Sequence, residues 1–339
     1  MPDAPLPPAP QDLLDPSGRP RLGAFAGALQ RVGLERLARP GLAGRFEGAA
    51  QAKRWVYALV ATDAALVGAA VVEAGWFGGA FVWAADLATG AVLAERSAAG
   101  LPRLQASVAD RPAAGLAARW SGGGLRVELT RPADRYRLEI ASAGLELEAW
   151  LDAAGAPPPF TLLAPVPGAG PRLTQKVGGL PVEGTLRAGG RSFTLAGGSG
   201  GVDFTAGLLA RETDWRWAFG TGRAAGGAPV AFNLCEGFGL PPDAPGENAL
   251  LRPGPARLPP VRFTFDRTAP LQPWTLEGER LRLVFTPAAR HREVRELGLL
   301  STRFTQVAGT FEGALPAPGG GVVAVAGLPG VVEDHRARW

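Results

Sequence analysis

The chain has 339 residues, enough for one large domain or two of about 150. Hydrophobic residues make up 46% and charged residues 19%, which excludes a disordered chain and fits a globular one with a large core. A formal charge of +4, from 35 basic and 31 acidic residues spread along the chain without a basic block or an aromatic–basic stripe, argues against nucleic acid as a partner.

The opening MPDAPLPPAP has neither the basic nor the apolar region of a secretory signal, and the first twenty residues read as a Pro-rich extended arm. Over residues 24–39 the spacing of Phe25, Leu29, Val32, Leu34 and Leu37 predicts one short helix, ended by Pro40-Gly41. Residues 1–44 are thus expected as an arm with a helix. Lys53-Arg-Trp-Val-Tyr57 opens the first clear strand, with Lys53 at its solvated end. The apolar stretch 64–85 reaches the length of a membrane span only by including Glu73 and the Gly-rich kink Gly75-Trp76-Phe77-Gly78-Gly79. It reads as two strands around a turn, so no transmembrane segment is expected and the protein is assigned to the cytoplasm.

Further along, Leu125-Arg-Val-Glu-Leu-Thr130, Tyr136-Arg-Leu-Glu-Ile140, Leu145-Glu-Leu-Glu-Ala-Trp150, Val261-Arg-Phe-Thr-Phe265 and Leu281-Arg-Leu-Val-Phe285 alternate apolar and polar. That period of two places one face on a core and the other in water. The 48 glycines and 32 prolines fall largely between such runs, where turns require them. The fold class is therefore all-β. Two internal echoes, residues 125–135 with 281–290 and 80–87 with 228–234, suggest a duplicated β unit of about 150 residues, a size that suits an antiparallel barrel. The Pro/Gly-rich segment 156–171 then serves as linker, giving a first barrel over residues 45–171 and a second over 172–339.

Several polar residues lie in settings that suit chemistry. Asp203 sits in a Gly-rich segment just before Glu212-Thr-Asp-Trp-Arg-Trp217. On a strand Trp215 and Trp217 share one face and Arg216 takes the other, so the indoles can wall an apolar pocket with Asp203 or Arg216 at its mouth. Equally, the tryptophans can fill a β core. Asn233, Glu236, Glu247 and Asn248 form a second polar group among apolar strands and loops, read as a further candidate site, with Asn233, Glu236 and Asn248 as ligand-binding residues, or as residues that simply close turns. The chain ends on Glu333-Asp-His-Arg-Ala-Arg-Trp339, too bulky for a frayed tail. His335 is a candidate acid–base group there. Adjacent strand residues face opposite ways, so the reading leaves it without an obvious acidic partner, and the segment reads first as a closing strand anchored by Trp339. His291, between Arg290 and Arg292, reads as solvated. One cysteine, Cys235, and two histidines provide neither a disulfide nor a zinc ligand set, so no metal and no cofactor is expected.

Lys-Arg-Trp at 53–55, Asp203-Phe-Thr-Ala-Gly207, Thr213-Asp-Trp-Arg-Trp217, Glu247-Asn-Ala-Leu250 and the terminal Gly327-Leu-Pro-Gly-Val-Val-Glu-Asp-His-Arg-Ala-Arg-Trp339 occur in this order. As a set they resemble the bacterial domain-of-unknown-function family numbered 2804. A looser similarity extends to the calycin-like proteins with paired lipocalin-type barrels, the carotenoid hydratases and AttH-type proteins. That resemblance implies two consecutive antiparallel lipocalin-like barrels. Here Val202-Asp203-Phe204 replaces the Trp/Tyr-Asp-Arg/His pattern of those relatives. Three functions follow as expectations: binding of an apolar small molecule such as a lipid or isoprenoid, a cofactor-independent hydratase, isomerase or cyclase using Asp203 and His335, or a purely structural β scaffold.

Overall fold

The computed structural model describes residues 5–37, 50–238, 246–298 and 300–339. In chain order the strands are β1 (Gly23–Ala26), β2 (Ala52–Ala61), β3 (Ala65–Ala74), β4 (Phe77–Asp86), β5 (Val92–Gly100), β6 (Ala106–Val108) and β7 (Ala117–Gly122). Next come β8 (Leu125–Thr130), β9 (Arg135–Ser142), β10 (Leu145–Asp152), β11 (Phe160–Pro165), β12 (Pro171–Ala188), β13 (Arg191–Thr194) and β14 (Gly198–Leu208). The second half holds β15 (Glu212–Arg223), β16 (Pro229–Gly237), β17 (Ala249–Arg252), β18 (Ala256–Arg257) and β19 (Val261–Thr264). It ends with β20 (Trp274–Gly278), β21 (Leu281–Leu297), β22 (Leu300–Pro316) and β23 (Val322–Arg338).

These strands form two antiparallel sheets. The first runs β5-β4-β3-β2-β14-β12-β10-β9-β8-β7-β6, and the second β18-β17-β16-β15-β23-β22-β21-β20-β19. Each curls into a barrel-like half, β6 returning against β3 and β4 in one and β19 against β16 in the other. No helix among the described residues is long and apolar enough to cross a membrane.

Three sequence expectations are corrected here. The helix over residues 24–39 does not form in its described part: Gly23–Ala26 pairs with β11, and only Leu34–Arg36 makes a 3-10 turn. Its helical spacing is consumed by tertiary burial, since Leu29, Val32 and Leu34 pack into the first barrel. Residues 38 and 39 lie outside the described residues. The boundary at 171/172 moves to between Leu208 and Glu212, because β12 and β14 join the two meanders of the first sheet, β2–β5 and β6–β10. The internal echo does not mark equivalent places either: β4 and β8 lie seven steps apart in their sheet, whereas β16 and β21 lie four apart in theirs.

Three cores result. Along β2, Val56, Ala58 and Val60 enter the first barrel, while Tyr57, Leu59 and Ala61 face the second half. β4 does the same with Val82 and Ala84 against Trp83 and Ala85. Burial on both faces explains why residues 64–85 read as one continuous apolar stretch although they are the β3–β4 hairpin. The interiors of both barrels are filled by side chains, Trp120 and Tyr136 in the first, Trp274, Phe285 and Phe311 in the second. The third core joins the halves. Gly201 permits the close approach, since a Cβ there would lie 2.5 Å from Phe219 Cζ.

Candidate functional site between the barrels

The polar residues of the third core come from strand alternation. On β12, Arg172, Thr174 and Lys176 fall on one face, and the register sets Lys176 opposite Asp203 and Thr174 opposite Thr205 on β14. Lys176 Nζ donates to Asp203 Oδ2 and lies 3.1 Å from Glu247 Oε2, a residue of the second half just before β17. Arg172 donates to Glu247 Oε1 at 3.0 Å. Thr205 donates to Asp203 Oδ1 at 3.2 Å and lies 2.8 Å from the Thr174 hydroxyl. The set is almost wholly buried, Lys176 at 1%, Glu247 at 2% and Asp203 at 6% exposure.

Burial sets these charges against one another. Desolvation would push Glu247 up, but Arg172 and Lys176 beside it hold its carboxyl far below the usual range. Desolvation opposes the Lys176 charge, and Asp203 and Glu247 more than restore it, so the ammonium is kept. For Asp203 burial wins: its pKa is raised despite Lys176, with Glu247 adding to the rise.

A second network lines the opposite wall. Glu333 and His335 on β23 share a face and stand opposite Trp217 and Trp215 on β15. Glu333 accepts from Trp215 Nε1 and from Gln306 Nε2, both at 2.9 Å. Gln306 Oε1 accepts from Trp83 Nε1 at 2.8 Å and from the Tyr57 hydroxyl at 3.1 Å. Gly68 makes room for this junction, since a Cβ there would lie 2.7 Å from the Tyr57 hydroxyl. Burial, then Glu333 and Asp203, push Tyr57 well above its ordinary value, so it stays a neutral donor between the two networks. His335 Nε2 lies 2.9 Å from the Thr302 hydroxyl, and its Nδ1 lies 3.6 Å from Glu333 Oε1 with no hydrogen-bond partner among the described residues.

Between the networks lies a cavity of about 140 Å³ with aromatic walls, including Trp55, Tyr57, Phe81, Trp215, Trp217 and Phe238. Trp55 of the first half stacks on Trp215 of the second at 6.1 Å between centroids and 2° between planes, and Phe238 covers the other side of Trp215 at 4.7 Å. The half-buried Phe77, Ala98, Glu293, Arg295 and Thr302 form its outer rim, and the Arg172–Lys176–Asp203–Glu247 cluster its floor.

Asp203, His335, Trp215 and Trp217 therefore line one chamber. Asn233 stands behind it, accepting from Trp217 Nε1 at 2.7 Å and donating to the Glu247 carbonyl at 2.8 Å. The other three ligand-binding candidates lie elsewhere. Arg216 takes the opposite face of β15, where it pairs with Asp214 at 2.7 Å and Asp334 at 3.4 Å. Glu236 accepts from the Phe263 amide, and Asn248 accepts from the Cys235 amide and donates to the Pro259 carbonyl.

Further corrections concern the basic residues. His335 has an acidic neighbour after all, because Glu333 is two residues back and shares its face. His291 is buried, stacked against Phe81 and Trp83, with Nδ1 2.7 Å from Glu95 Oε2. Lys53 is buried too, donating to the Ala50 carbonyl at 2.6 Å and lying 5.8 Å from the Trp339 ring, and desolvation lowers it to about 8. The residues that sequence reasoning missed are Arg172, Lys176, Tyr57, Gln306 and Glu333; Glu247 was within the second polar group, but its pairing with Arg172 and Lys176 was not foreseen. The signal for the floor was the alternation Arg172-x-Thr174-x-Lys176 in a chain with just two lysines. Among the described residues no group of three or more His, Cys, Asp or Glu side chains is arranged to hold a metal ion.

Residues 8–339 match the family described as "Domain of unknown function (DUF2804)". The chain belongs to the DUF2804 family. Its fold is similar to that of an AttH protein (NE1406) from Nitrosomonas europaea, with a TM-score of 0.51 and 13% identity over 84% of this chain and 92% of that one. At that identity the likeness shows the fold: barrel-like halves in tandem. Kievitone hydratase from Nectria haematococca is more remote, with a TM-score of 0.47 and 12% identity over 85% of this chain and 88% of the other. No curated protein matches the sequence.

Proposed function

We propose that this DUF2804 protein binds a small apolar molecule in the chamber between its two barrel-like halves, against Trp215 and Trp217. One observation carries the reading: a cavity with aromatic walls ends on a floor of four buried charged groups. Buried ion clusters contribute little to stability compared with apolar packing of the same volume, so their retention at a cavity favours a ligand-directed role. The location differs from the barrel mouth expected of a lipocalin-like binder, because both barrel interiors are filled. The proposal places the protein in the cytoplasm, without a nucleic-acid partner.

A second reading rests on convergence. Asp203 and His335 reach one chamber from different surroundings, Asp203 beside a buried ammonium and His335 between a hydroxyl and a carboxylate. Two titratable groups so placed can exchange protons with a bound ligand, as hydration of a double bond or isomerisation requires.

Native mass spectrometry and organic extraction of protein purified from its own host test the binding reading. A co-purifying apolar molecule is expected, and repeated absence would leave a structural β scaffold instead. Turnover of any molecule found by Asp203→Asn and His335→Gln variants then tests the acid–base reading: loss in either supports it, and unchanged rates in both refute it.

A further inference from the structure

Resting on the binding reading above, we propose that the chamber selects a flat, unsaturated molecule bearing one uncharged oxygen function, and rejects carboxylates and phosphates of the same skeleton. Among the described residues four carboxylates line it, Asp203, Glu247, Glu293 and Glu333, against three cations, Arg172, Lys176 and Arg295. Every one of those cations is already ion-paired: Lys176 with Asp203 and Glu247, Arg172 with Glu247, Arg295 with Glu293. Among the described residues, an incoming anion thus meets no cation in the walls that a carboxylate has not claimed. To capture Lys176 it would have to displace Asp203 or Glu247, leaving a buried carboxylate uncompensated.

The facing wall adds to the exclusion. Both oxygens of Glu333 are engaged, by Trp215 and Gln306, and its charge faces the chamber in a medium of low dielectric. A single hydroxyl or carbonyl oxygen avoids these penalties and still finds partners. The Lys176 ammonium has three hydrogens and two carboxylate partners, and the Thr302 hydroxyl lies on the rim. Flatness is favoured by the aromatic walls, which include Tyr57, Phe81, Trp217 and Phe304. The size, about 140 Å³, suits a single ring, since apolar cavities of about 150 Å³ accept benzene, and a short substituent would extend toward the outer rim.

The test uses the full-length protein and three ligands of matched skeleton in isothermal titration calorimetry at pH 7: 4-propylphenol, 4-propylbenzoate and 4-propylbenzylammonium. The phenol is expected to bind and the benzoate to bind at least ~10-fold more weakly, while the ammonium, which is no smaller than the benzoate, is expected to bind more tightly than the benzoate. A benzoate that equals or exceeds the phenol, or an ammonium no tighter than the benzoate, overturns the selection while leaving the chamber a binding site. If none of the three binds, the binding reading itself falls and the selection with it. Val72→Trp, which fills the chamber from a half-buried wall position, should abolish phenol binding, and Thr302→Trp serves from the opposite rim should the first variant not fold. Phenol binding that survives a folded chamber-filling variant places the ligand elsewhere and overturns the proposal.

Discussion

Strand β2 presents Val56, Ala58 and Val60 to the first barrel and Tyr57 to the space between the barrels, and the two sides obey different rules. Inside the barrels large apolar side chains interlock, among them Trp120, Tyr136, Trp274, Phe285 and Phe311. Between the barrels, aromatic rings surround two buried cations and three buried carboxylates, held by partners contributed from both halves. Elsewhere the halves are joined by apolar packing, as of Leu59 and Phe219 in the same core, together with the Thr221 hydroxyl, which meets the Ser199 hydroxyl and accepts from the Gly179 amide, and the His291–Glu95 pair. The charges are thus extra to what holds the molecule together, and their position at a cavity is the feature that distinguishes a site from a core.

This contrast can be broken at several points. The largest effect is expected from deleting residues 333–339, because β23 runs between β15 and β22 and its end is latched by the Trp339 amide on the Arg211 carbonyl and by Trp339 Nε1 on the Thr213 hydroxyl. The second half should lose its cooperative unfolding transition in calorimetry, and a truncated protein of full stability would contradict the latch. Next, Lys176→Met should cost about 3–5 kcal/mol in urea unfolding, because Asp203 is left buried without its cation. Pairing it with Asp203→Leu should recover most of that loss but not ligand binding.

A barrel-interior change gives the opposite pattern. Trp274→Ala should cost about 3–5 kcal/mol through the space it empties beside Phe265, and leave ligand affinity unchanged. A smaller effect is expected from pH. Lys53, lowered from 10.5 to about 8, binds its proton less tightly when folded than when unfolded. Its burden on stability is therefore full below about pH 8 and lifts as pH rises from 8 to 10.5. The difference in melting temperature between wild type and Lys53→Met should shrink across that window, and a constant difference would show that the lysine is not desolvated. Least of all, Arg216→Ala, on the solvent side of β15, should change stability by less than about 1 kcal/mol and affinity not at all.

How legible each region was in the sequence follows from the same contrast. Strands with one buried face, such as β8, β9 and β10, alternate cleanly and announce themselves. β3 and β4, buried on both faces, lose the alternation and look like a membrane span. Asp203, Trp215 and Trp217 stand out as a dense local cluster, and all three line the chamber. Lys176 does not stand out, because its partners Asp203 and Glu247 lie 27 and 71 residues away and meet it through strand order alone. The domain boundary was hidden for the same reason, since the pairing of β14 with β2 spans most of the first half. The pairing of Glu333 with His335 was within reach: the alternation that separates Asp334 from His335 puts Glu333 beside it.

The central claim, that the ligand site lies between the barrels and not inside them, is tested most directly by a crystal structure of the protein soaked with 4-propylphenol. Ordered density for the ring against Trp215 and Trp217, with its hydroxyl toward the Lys176–Asp203 floor, is the predicted result. Density within either barrel interior, with the chamber holding water alone, would contradict it.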